Sequence, residues 1–385
     1  MQASNLDTKW FARCIVALAA SISLNAWAQQ DSGQSASIYD RIWAIPVLYE
    51  SADNSTLQSF SLIGRYHGQG WAVKARQGNA QDWENRRMIF GFSSKWFQHF
   101  TLHAQMYLKS GPGTIYDGLY QAFIKWSPPN TDFSLSVGRM DYLFTGYERS
   151  LSSKKINTIE RGLLVNQIMP AEVVGAHVQG KQGRFSYQAG LFSRSIEEEF
   201  DDFNAGAAAM IGAGYDSALF LQEGTLQLDY LYNSRKTEGN AFRPFRHIAS
   251  LWHQGRSGRL GMTIDLTAAL PLETDGFVWG LTLEPTWTLF DELLGNNDPL
   301  QLALRYQYAY SSEDNGLHLQ RRYEETVTKG EGNKYQAYYA GLNYFLYGHK
   351  LKLMLAGEYA HMEDDANDGG AYRGWTWFGA VRLYF

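Results

Sequence analysis

Residues 373–385 read Arg373-Gly-Trp-Thr-Trp-Phe-Gly-Ala-Val-Arg-Leu-Tyr-Phe385, with Trp375, Trp377, Val381, Leu383 and Phe385 all on one parity. A period of two is the mark of a strand whose side chains point alternately to opposite faces. In a soluble β protein so apolar a strand would be buried in a sandwich or capped. The other solution is that the apolar face meets hydrocarbon.

Composition favours the second solution. The chain of 385 residues uses 24 Tyr, 21 Phe and 12 Trp with only 9 Pro, yet hydropathy averaged over the whole chain is negative. The one long apolar stretch lies at the N-terminus, so no central run of roughly 20 apolar residues is available for a membrane-crossing helix. Aromatic-rich and polar on average is what a lipid-facing barrel looks like, because its outward and inward residues cancel in any window. With a formal net charge of −5, the chain is expected to have no nucleic-acid partner.

Lys9 and Arg13 precede the apolar run Ile15–Leu24, and Ala26-Trp-Ala28 follows it. This order of charged, apolar and small residues predicts a secretory signal over 1–28, cleaved after Ala28. Cys14, the single cysteine, falls inside that segment, so disulfides contribute nothing to the exported chain. Residues 29–57 are expected to form an N-terminal periplasmic segment, with Ile42–Tyr49 as a strap, and 58–385 the barrel.

Testing for segments of about ten alternating residues gives sixteen strands. They are expected at 60–66, 87–93, 100–108, 118–126, 133–139, 173–180, 185–191, 217–222, 225–233, 245–254, 260–270, 276–289, 300–310, 335–346, 351–361 and 375–385. Residues 67–86 read as a connector of mixed polarity, and the small-residue run 205–214 as part of a long loop. The fold predicted is all-β: a transmembrane antiparallel β-barrel in the bacterial outer membrane, with short periplasmic turns, long outer loops and the last strand closed on the first. A soluble β-sandwich or solenoid is the competing reading, weakened by the number of aromatic ladders and the lack of a linker.

Parity places Leu300, Leu302, Leu304 and Tyr306 on lipid and Gln301, Ala303, Arg305 and Gln307 on the lumen. Other lumen candidates are Arg65, Arg87, Lys125, Arg184, Lys352 and Arg382, against Asp229, Asp265, Glu284 and Glu358. Three further patterns are weaker. Glu363–Gly369 is out of step with a calcium loop. The histidines show no metal spacing. His247, Ser250 and His253 lack a nucleophile elbow. Neither cofactor, metal nor catalysis is expected.

The stretch Val137-Gly-Arg-Met-Asp-Tyr-Leu-Phe-Thr-Gly-Tyr-Glu148, with Thr158-Ile-Glu-Arg161, resembles the strand and constriction loop of the phosphate-selective porins O and P. Gly175–Gly180 with Phe185–Phe192, and Tyr339–Tyr344 before Leu351-Lys-Leu353, are similar to later hairpins of that family. The resemblance implies a sixteen-stranded homotrimeric channel with the third outer loop, 141–170, folded into the pore; apart from it, the acid-rich loops are expected to stay solvated or to share divalent ions with the lipopolysaccharide of the outer-membrane lipid. Leu143-Phe144 departs from the family pattern, which has Pro-Phe there. The loop's Arg149, Lys154, Lys155 and Arg161, with Arg65, Arg87, Lys125 and Arg305 of the wall, are then the constriction candidates. Their basic balance predicts passage of small anionic solutes such as phosphate. A general pore for neutral solutes, and a non-conducting barrel acting as a binding or structural surface protein, stay open as alternatives.

Overall fold

The computed structural model describes residues 37–109, 113–141, 146–168, 172–193, 199–200, 203, 206–218, 221–234, 245–295 and 297–385. The expected signal segment, Leu143-Phe144 of the third loop and most of the acidic run 197–202 lie outside them. Among the described residues no helix is long and apolar enough to cross a membrane.

The chain begins with a short helix α1 (Ile38–Ala44) and strand β1 (Val47–Glu50). The wall then runs through β2 (Leu57–Ala75), β3 (Gly78–Trp96), β4 (Phe100–Leu108), β5 (Tyr116–Trp126) and β6 (Ser134–Met140). The third outer loop carries α2 (Tyr147–Ser150) and α3 (Leu163–Ile168). It leads to β7 (Val173–Gln182), β8 (Phe185–Ser193), β9 (Ala207–Asp216), β10 (Glu223–Asn233), β11 (Phe245–Ser257), β12 (Leu260–Pro271), β13 (Val278–Phe290) and β14 (Leu300–Ser311). A long outer loop holds the two-residue strands β15 (Leu317–His318) and β16 (Glu331–Gly332) before β17 (Lys334–His349), β18 (Leu351–Glu363) and β19 (Tyr372–Tyr384).

Each wall strand pairs antiparallel with the next, and β19 pairs with β2 from Gly374↔Ala75 to Tyr384↔Arg65. The sheet is therefore a closed barrel of sixteen strands. Gly64 and Phe385 exchange both backbone bonds at 3.1 Å. Below that point β19 has ended, and β1 takes over the edge of β2. Ser37 and Asp40 cap α1 reciprocally. Trp43 Nε1 of the same helix donates to Tyr384 O at 2.7 Å.

Two sequence expectations are corrected. The eighth strand is Ala207–Asp216, and Ser217, Ala218, Leu221 and Gln222, read as strand, lie outside it and before β10. Apolar alternation is faint there because alanines dominate the outward face and glycines take two of the inward positions. A Cβ on Gly212 would lie 2.2 Å from Asp229 Oδ1, and one on Gly214 2.2 Å from Gln227 Oε1. The glycines make room for long polar neighbours across the strand. The second correction concerns 67–86, which is no connector but the upper part of β2 and β3. Pairing of β3 with β4 starts only at Ile89↔Tyr107, so residues 78–88 stand above β4. Their outward Asn79, Gln81 and Asn85 carry no apolar signal.

The interior is not uniformly aqueous. Inward residues on β8–β13, including Phe192, Met210, Leu231, Ile248 and Val278, form one buried cluster with Leu163, Leu164, Val165 and Ile168 of α3. Each such side chain contributes about 1.5–3 kcal/mol on burial. Leu317, Leu319 and Tyr323 of the long outer loop join the same cluster. Leu163→Ala and Ile168→Ala, at 2% and 0% exposure, are each expected to weaken the seating of the third loop by about 2–5 kcal/mol. Limited proteolysis of the folded barrel checks this: cleavage within 141–172 should accelerate while the wall resists.

Candidate functional site

The third loop is held against one side of the wall by buried polar contacts. Arg305 of β14 is 3% exposed. It donates to Glu358 at 2.8 Å, to the carbonyl of Glu160 at 2.8 Å and to the Glu148 carboxylate. Lys352 Nζ donates to Ile156 O at 2.6 Å, and Arg382 to Ile159 O and to Gln69. Ile159 N donates to Tyr339 OH, Leu163 N to Gln307, and Asn343 to Asn157 O. On the far side Gly146 N and Tyr147 N donate to Ser250 and Asp265. Arg161 folds back onto its own loop, donating to the carbonyls of Glu148 and Leu151 at 2.8 Å.

What the loop leaves open is a cavity of about 220 Å³ beside β3–β5. Arg86, Arg87, Arg149 and Arg161 line it, facing Asp141 and Glu172, with Tyr107 and Tyr120 on the wall. Arg149 is paired with Asp141. Tyr120 OH donates to Asp141 at 2.8 Å and Tyr107 OH to Glu172 at 3.1 Å. Burial pushes the Asp141 carboxyl up, but the guanidinium groups of Arg149 and Arg161 outweigh it and hold the acid below its usual range. Glu172 goes the other way: burial and the neighbouring Asp141 charge raise it above the ordinary carboxylate range.

Two adjacent residues of a strand should face opposite sides, yet Arg86 and Arg87 both line this cavity. A β-bulge explains it. His67 pairs with Arg87 and Gly68 with Asn85, so Arg86 has no partner across the ladder. The extra residue re-aims a side chain that would otherwise face outward. Arg86, Asp141 and Glu172 were not among the sequence candidates. The signal for Arg86 was present as a phase slip: outward residues run 83 and 85, then 88, 90 and 92.

The other candidates take several places. Arg87, Arg149 and Arg161 meet at the cavity, while Arg305 serves the buried loop contact. Arg65 donates to Ser153 Oγ at 2.7 Å and to Tyr120 OH at 3.4 Å. Lys154 sits 4.7 Å over the Tyr384 ring, Lys155 is exposed, and Lys125 lies across from Ser136 on β6. Arg184, read as a lumen residue, is exposed at the β7–β8 turn with its guanidinium 5.5 Å from the Tyr215 ring centroid. The turn ends the alternation on which that placement rested. Ser250 faces inward, whereas His247 on the opposite face bonds Tyr230 OH at 2.7 Å, so they form no common site. Among the described residues no group of three or more His, Cys, Asp or Glu side chains is placed to hold a metal.

Residues 64–240 match the family described as phosphate-selective porin O and P. No curated protein matches the chain significantly. Solved structures with a similar fold include the anion-selective porin from Comamonas acidovorans, with TM-score 0.58 and 11% identity over 85% of this chain and 99% of that one. OmpF of Salmonella typhi gives TM-score 0.58 and 10% identity over 88% and 100%. OprB of Pseudomonas putida gives TM-score 0.55 and 12% identity over 85% and 94%. At such identities the likeness is one of fold.

Arg305→Leu should cost about 3–5 kcal/mol, because Glu148 and Glu358 are then left buried with their main counter-charge gone. Adding Glu148→Gln is expected to recover part of that loss. Thermal unfolding of the purified barrel, followed by far-ultraviolet circular dichroism, measures both.

Proposed function

We infer that this chain, which its residues 64–240 place among the phosphate-selective porins O and P, is an outer-membrane channel that lets small hydrophilic solutes diffuse and prefers oxyanions. The protein is a bacterial outer-membrane porin. The carrying observation is the cavity whose four arginines face Asp141 and Glu172 on its lining, with Glu160 paired to Arg86 at its edge, an excess of one guanidinium. In a narrow passage with low-dielectric walls such an excess is focused on the permeating ion. Guanidinium forks match the paired oxygens of phosphate or a carboxylate. A structural neighbour named as anion-selective supports the same sign.

No chemistry on the solute is assigned, and the passage is passive. The reading includes export through the segment 1–28 and a strap over 29–57. It also includes association of three copies in the membrane, and contact of the acidic outer loops with lipopolysaccharide. Lys154 and Lys155 would act below the constriction with Arg65 and Lys125. The buried interior on the β14–β19 side favours a second reading, a silent barrel presenting its loops as a binding surface. Conductance in a planar bilayer separates the two.

Reversal potentials in a potassium chloride gradient should show anion preference. Arg87→Glu should lower it about tenfold or more, as a charge a few ångströms from the ion is worth about 1 kcal/mol even in water. A cation-favouring wild type would reject oxyanion selectivity.

The preference should also fall as pH rises. Glu172, raised by burial and by Asp141, gains negative charge above the usual carboxylate range. Lys154, pushed down to about 8 by burial and then by Arg65 and Lys155, loses its positive charge near that pH. Both changes subtract positive potential. Reversal potentials from pH 5 to 9, with Lys154→Gln removing the step near pH 8, check the sign.

A further inference from the structure

Above the constriction lies a second cavity of about 530 Å³, roofed by the long outer loop between β14 and β17. Arg86 and Asn166 line both this vestibule and the constriction. They are the partition between them. Arg86 Nε donates to Glu160 Oε1 at 2.7 Å, so the wall guanidinium is tied to the loop across the partition. Glu160 is in turn held by Gln69 at 3.0 Å, and its carbonyl by Thr158 and Arg305. The carboxylate is therefore the fixed member of the pair. Arg86 hangs on a bulge, is 18% exposed along its side chain, and has fewer ties.

We propose that Arg86 is the gate and the specificity-determining residue of the channel, its guanidinium passing between the Glu160 carboxylate at rest and a permeating oxyanion in transit. This rests on the oxyanion-preferring channel reading. Glu160 presents to Arg86 the same chemistry as the solute: carboxylate oxygens that accept from a guanidinium. A phosphate, sulfate or carboxylate arriving in the vestibule can replace it like for like, handing the anion to Arg87 on the next residue. Chloride has no paired oxygens to accept the fork and is a poorer substitute. The pair thus sets a threshold that oxyanions cross more readily. Asn166 stays in place, its amide donating to Arg161 O at 3.1 Å and to Gln320 at 3.0 Å.

The test reads block of chloride current by inorganic phosphate in planar bilayers, for wild type, Glu160→Gln, Arg86→Gln and Arg86→Lys. Removing the competing carboxylate should lower the half-blocking phosphate concentration about tenfold, the scale of one charge-assisted hydrogen bond. Arg86→Gln should raise it by about tenfold or more, and Arg86→Lys should fall between, having charge without the fork. If the bridge only props the loop, Glu160→Gln and Arg86→Gln will shift the block in the same direction, which would overturn the gate. Migration of unheated samples in detergent gels confirms that each variant is folded; if Arg86→Gln is not, the opposing shifts of Glu160→Gln and Arg86→Lys decide. A wild type that is silent or cation-favouring overturns the channel reading as well. An anion-favouring wild type with parallel shifts overturns the gate alone.

Discussion

Hydrocarbon offers no partner to a peptide N–H or C=O, so a sheet that lives in it must have no margin. The pairing of β19 with β2 satisfies that constraint, and everything else is built inside the resulting cylinder. It explains why Trp375, Trp377 and Val381 can face outward at the last strand without a covering layer: the backbone between them is fully paired, and their rings have lipid. On the other edge of the last strand, Trp375 packs against Tyr359 of β18 at 5.4 Å, which stiffens the β18–β19 hairpin.

Once closed, the cylinder is too wide to be filled by its own side chains, and a loop does the filling. The third loop brings an apolar helix to the inward residues of β8–β13 and a polar stretch to β14, β17, β18 and β19. These contacts differ in kind. The apolar set contributes through burial, whereas Arg305, Lys352 and Arg382 must be desolvated, and the loop carbonyls and the carboxylates of Glu148 and Glu358 offset that cost. The passage is what remains on the third side. Its eccentric position beside β3–β5 follows from where the loop finds partners.

Much of the wall was legible because Leu300–Tyr310, Leu260–Leu270 and Leu351–His361 alternate cleanly. Alternation failed at 207–216, where inward glycines serve neighbouring strands, and at 67–86, which rises above the level of β4. The site was legible in residue type more than in place. Arg87, Arg149 and Arg161 lie together on one cavity. The employment of Arg305 by Glu148 could not be read, since the partners are 157 residues apart and only closure brings them together. Arg86 was hidden by a single-residue slip that period-two counting treats as noise.

That slip also links geometry to heredity. Because Arg86 is an unpaired insertion in its strand, Gly68↔Asn85 and His67↔Arg87 would become consecutive pairs without it. Losing its codon would leave Glu84 inside and Trp83 and Asn85 outside, and would take away one guanidinium while the ladder stays in register. The bulge can therefore be gained or shed in a single in-frame step, so the second guanidinium of this hairpin should come and go across lineages while the wall that carries it persists.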